Sequence, residues 1–132
     1  MTRILTIIAL LFATPAWAEE VDGNSFYCEP MDIGTVTHEA FKFEGGKVFK
    51  YNESGQEFSY DYFAAHSNVT WEISDVLYYD IDRKTLQLKL RSTRWDSSAG
   101  WQCKFMEIDK ARQLVKFQGE LRELKKRRGN QF

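Results

Sequence analysis

From Phe26 to about Leu121 apolar and polar residues alternate with a period of two, and the pattern leaves no room there for three turns of helix. Val69, Trp71 and Ile73 alternate with Thr70, Glu72 and Ser74; Leu86, Leu88 and Leu90 alternate with Gln87, Lys89 and Arg91. Such runs are half-buried strands with one face in the core and one in water. Turn-forming residues punctuate them at 45–46, 52–55, 65–68, 82–85, 96–100 and 109–112. An all-β fold follows: an antiparallel meander of about eight short strands, curled into a small up-and-down barrel that hides its own edges, with a two-sheet sandwich as the alternative.

The alternation also predicts register. A loop over residues 82–85 sets Ile81 opposite Leu86, Tyr79 opposite Leu88 and Leu77 opposite Leu90, with all six on the core face. The later run Ile108-Asp-Lys-Ala-Arg-Gln-Leu114 echoes Ile81-Asp-Arg-Lys-Thr-Leu86, so a last hairpin pairing Phe105 with Phe117 is expected. Residues 119–132 fit either an extension of the final strand or a short helix.

The first residues read as a secretory signal: Arg3, an apolar run from Ile4 to Ala13, Pro15, and Ala16-Trp17-Ala18, with cleavage expected after Ala18. The apolar run is about half the length that spans a hydrocarbon core. The expected mature chain is one domain over residues 19–124, followed by a basic tail over 125–132. It carries 17 cations and 19 anions, with Lys125, Lys126, Arg127 and Arg128 clustered near the end. An acidic body is the opposite of a nucleic-acid binder's charge; the tail suits weak contact with an anionic surface. The export reading places the protein in the periplasm of a Gram-negative bacterium or, for another source, outside the cell. In such an oxidising compartment Cys28 and Cys103 are expected to form one disulfide.

Phe58, Tyr60 and Tyr62 share one strand face, while Glu57, Ser59 and Asp61 share the other. Carboxylates belong on the wet face, so the rings point inward; Tyr60 and Tyr62 are candidate pocket-lining residues. Arg94 and Trp95 lie in a loop by composition, and are the candidate partner contact. Catalysis has little to work with. His38 and His66 have no cysteine nucleophile nearby, there is no Gly-x-Ser-x-Gly elbow, and no set of His, Cys and Asp has metal-ligand spacing. No cofactor is expected. Asn52-Glu-Ser54 and Asn68-Val-Thr70 match the N-glycosylation pattern, which matters only in a eukaryote.

Phe26-Tyr27-Cys28, the late Cys103 and the Ser54-Gly-Gln-Glu-Phe58 stretch resemble, in architecture, small exported barrels that inhibit c-type lysozymes. In that family a Ser-Gly-x-x-Tyr loop enters the enzyme cleft; here Phe58 stands in place of the Tyr, and a lysine-glycine loop has no counterpart after Trp71. The sequence thus leads to an exported, non-catalytic module that contacts an envelope or secreted protein, inhibitor-like in form. The alternative is a carrier of a small apolar or aromatic ligand inside the barrel.

Overall fold

The computed structural model describes residues 20–31, 37–94 and 99–130. The predicted signal, residues 1–18, and Trp95 lie outside them.

Nine strands form one antiparallel sheet: β1 (Ser25–Pro30), β2 (Glu39–Glu44), β3 (Lys47–Tyr51), β4 (Glu57–Asp61), β5 (Phe63–Ala64), β6 (Asn68–Glu72), β7 (Leu77–Asp82), β8 (Gln87–Ser92) and β9 (Ala99–Phe105). Their order is β4-β3-β2-β1-β9-β8-β7-β6-β5, so the sheet's two edges come from adjacent stretches of chain and nearly meet. The first and last strands pair in the middle of the sheet, Phe26 opposite Phe105 and Cys28 opposite Cys103. That register puts the two sulfurs within bonding reach, and the disulfide is formed across a Cα separation of 4.0 Å. Closing its 75-residue span removes about 4 kcal/mol of unfolded-chain entropy on the loop-closure model.

The concave face is filled by rings. Phe41, Phe43 and Tyr79 gather around Trp71, at 5.4, 5.6 and 5.3 Å between ring centres, and Trp101 packs on Tyr79 at 5.7 Å. Phe26, Val48, Val69, Ile81 and Leu88 complete this core, all buried.

The hairpin at Asp82 keeps the expected faces but not the expected partners: Ile81 lies opposite Leu88, and Tyr79 opposite Leu90. The loop takes two more residues than composition suggests, because Leu86 adopts a left-handed φ of 61° and its N–H bonds the Asp82 carbonyl at 2.9 Å. A shift of two leaves every side chain on its own face, whereas a shift of one would have inverted them all.

The last hairpin does not form. Residues 108–130 are a helix, α1 (Ile108–Asn130), and Phe117 is exposed on it instead of facing Phe105. The Glu107 carboxylate accepts the N–H groups of Asp109 at 3.0 Å and Lys110 at 3.1 Å, satisfying donors that a helix start leaves open. Ala111 and Val115, one turn apart, pack on Tyr27, Ala40 and Tyr51 to make a second, smaller core on the outside of β1, β2 and β3. Gly119 lets the turn at 52–55 abut the helix, since a Cβ there would meet Glu53 at 2.9 Å. Arg122 fixes that contact by pairing with both Glu53 carboxylate oxygens, at 2.9 and 3.2 Å. Among the described residues no helix is long and apolar enough to cross a membrane.

Candidate functional site: the aromatic seam of the barrel

The barrel wall is continuous except where β4 and β6 diverge. β4 pairs only with β3, and β5 is two residues long, bonding Phe63 opposite Thr70 and Ala64 opposite Val69. Beyond that short ladder, Trp71 and Glu72 face β4 across an open cleft of about 690 Å³ lined by Lys47, residues 59–63 and residues 70–72.

Three hydrogen bonds turn the chain away at the top of β4. The Tyr62 hydroxyl donates to Asp22 Oδ1 at 2.6 Å, and the same carboxylate accepts the Gly46 N–H at 3.1 to 3.2 Å. Gly46 (φ 79°) and Gly45 (φ 61°) form the tight turn between β2 and β3, whose two left-handed residues only glycine adopts freely. Asp22 is held below the usual carboxylate range, first by Tyr62 and then by Gly46. Burial, then Asp22, push the Tyr62 hydroxyl up to about 12.

On the inner side of the seam the period-two pattern carries charges. Glu39 is in phase with Phe41 and Phe43, and Lys50 is in phase with Val48, so both side chains turn inward. Lys50 Nζ lies 3.2 Å from Glu39 Oε1 and donates to the Tyr79 hydroxyl at 3.1 Å. Tyr79 donates to the two Glu39 oxygens at 3.2 and 3.3 Å. The Lys50 ammonium also sits over the rings of Phe58 and Tyr79, at 5.5 and 5.3 Å. Only 4% of Glu39 is exposed, and burial raises its pKa against the opposing pull of Lys50. Tyr79 is raised as well, by burial first and by the Glu39 charge second. The cluster is a self-neutralised clamp that ties β2, β3 and β7 together.

Tyr60 and Tyr62 line this seam, half-buried against the core. Phe58 shares their face as its spacing implies, yet it is 38% exposed, because β4 is an edge and no wall covers its lower end. Next to them Phe63 is 74% exposed. The indole Nε1 of buried Trp71 has no hydrogen-bond partner among the described residues. Arg94 is exposed at the start of the β8–β9 connection. His38 belongs to the outer layer, where its Nδ1 lies 2.6 Å from the Tyr27 hydroxyl and its backbone N–H donates to Glu53 Oε2 at 2.9 Å; burial lowers its pKa.

Sequence reasoning missed Glu39 and Lys50. The signal was available: a charged residue in the apolar phase of an alternating strand must reach a partner or an opening. Among the described residues no group of three or more His, Cys, Asp or Glu side chains is arranged to hold a metal ion. No protein-family model, curated protein or solved structure matches the chain.

Proposed function

We propose that the protein is an exported, non-catalytic binding module that takes an extended segment of an envelope or secreted protein at the seam. One observation carries this reading: a wall otherwise closed by ladders ends in two unpaired strand edges with an exposed phenylalanine at their junction. Exposed edges present a row of backbone donors and acceptors that natural sheets usually cover, and an added strand is the partner they fit. Because β4 and β6 run antiparallel to each other, a strand entering between them lies antiparallel to one and parallel to the other. Phe58 and Phe63 offer rings beside it, while the Lys47–Asp61 ion pair at 2.9 Å sits at the rim. Export fits the disulfide.

The carrier alternative draws less support. The interior is filled by rings in mutual contact, and Tyr60 and Tyr62 pack against that core at the seam without enclosing a cavity of their own. The inhibitor-like form also shifts its point of contact, since the turn holding Ser54 is folded against α1 through Glu53 and Arg122.

The test is recovery of a partner from the native envelope by the mature chain, followed by affinities for Phe63→Ser and Trp95→Ala. Phe63 is exposed and supports no core, so its loss should weaken binding by about thirtyfold or more if it anchors the contact. Undiminished binding by Phe63→Ser together with loss in Trp95→Ala would move the site to the β8–β9 loop.

A further inference from the structure

Charge in this molecule is segregated. Residues 108–130 hold eight Lys or Arg and three Asp or Glu, a net of +5, whereas residues 19–107 hold nine cations and sixteen anions, a net of −7. The four cations at 125–128, which composition suggests as a tail, continue α1 through its last turns. They extend a surface that begins four turns earlier.

That surface has a defined face. Ala111, Val115 and Arg122 turn toward the barrel. At about 100° per residue, Phe117, Leu121 and Leu124 fall together on a stripe roughly a third of a turn away. Phe117 is 53% exposed and Leu124 is 49% exposed. Lys110 and Arg128 project in phase with the stripe, Lys125 and Glu120 lie at its two margins, and Asp109 and Glu123 fall outside it.

From this placement we infer that α1 docks the protein on an anionic lipid surface, its apolar stripe settling among the headgroups and its cations against their charge. A helix with rings and leucines bordered by Lys and Arg lies in the plane of such an interface, and each cation near it adds attraction. Charge complementarity selects this occupant over a second copy of the chain. Two copies paired through the same helix face would set a net charge of +5 against another of +5. The inference does not rest on the seam; it assigns a surface on which a seam partner would be met.

The experiment is co-sedimentation of the disulfide-intact mature chain with vesicles of phosphatidylcholine alone and of an equal mixture with phosphatidylglycerol. Binding is expected to the mixed vesicles only, falling as salt rises. Replacing Lys125, Lys126, Arg127 and Arg128 by Gln should lower the affinity at least about tenfold. Phe117→Ser combined with Leu124→Ser should lower it comparably, without a change in thermal midpoint, since both side chains are exposed. Phe63→Ser should bind the vesicles like the native chain, so failure at the seam and failure at the helix are separable. The proposal is overturned by equal binding to neutral vesicles, by no binding to the mixed ones, or by native binding of the Phe117/Leu124 variant. It is overturned too if sedimentation shows a dimer that the Phe117/Leu124 variant converts to monomer.

Discussion

The two sides of the barrel wall are built from the same alternating pattern and finish differently. At β1 and β9 five consecutive residue pairs and a disulfide join the ends of the domain. At β4 and β6 the ladder fails, although these strands are close neighbours in sequence. Proximity along the chain therefore does not decide which side closes. Where the ladder stops, the Tyr62 hydroxyl donates to Asp22, tying the end of β4 to the N-terminal segment, and only two residues of β5 pair with β6.

The largest expected effect lies in the charged clamp behind the open side. Lys50→Met leaves the Glu39 carboxylate buried without its counter-ion, and should cost about 3 to 5 kcal/mol in urea unfolding. The double variant Glu39→Gln with Lys50→Met should recover most of that loss. If the single variant is as stable as the native protein, the clamp contributes nothing to the open side.

The pH dependence has a definite sign. Burial raises Glu39 above its unfolded value of 4.5, so between that value and the folded one the native state binds more protons. Stability contributed by this group is therefore complete below 4.5 and declines as pH rises through the window. Glu39→Gln should flatten that decline, and unfolding midpoints measured in steps of pH would show it; an unchanged slope would place the titration elsewhere.

On the closed side, Leu88→Ala should cost about 2 to 5 kcal/mol by leaving a cavity, while Lys89→Ala on the wet face stays near zero. Equal denaturation midpoints would mean that the two faces of β8 are misassigned. Smaller again is the effect of Tyr62→Phe, which removes the main cause of the low Asp22 pKa. Carboxyl titration by NMR should show Asp22 moving up toward 3.8. No movement would mean that Tyr62 does not hold the end of β4.

Much of this was legible in the alternation. It specified the all-β wall and the inward faces of Leu88 and of Tyr60 and Tyr62, and the pair of cysteines in a chain expected to be exported pointed to the Cys28–Cys103 bond. It failed where a second influence competed with period two. Ala111, Leu114, Val115, Gln118 and Arg122 carry helical spacing, but Asp109 resembled a turn residue and hid the capping role of Glu107. Leu86 at positive φ is a tertiary accommodation that composition does not encode. Glu39 and Lys50 look like wet-face residues until β2 and β3 are paired and both fall among the rings. The contact between Asp22 and Tyr62 beside the seam joins residues forty positions apart, and no local pattern announces it.

Hydrogen exchange of the free, disulfide-intact chain of residues 19–132 tests the contrast most directly, because it needs no partner. Amides within the β1–β9 ladder should exchange only on global unfolding, whereas amides on the outer edge of β4 and that of Glu72, which points away from β7, should exchange orders of magnitude faster. Protection at β4 and β6 equal to that of β1 and β9 would mean that the wall is closed all round in solution, and the seam would be lost as a binding site.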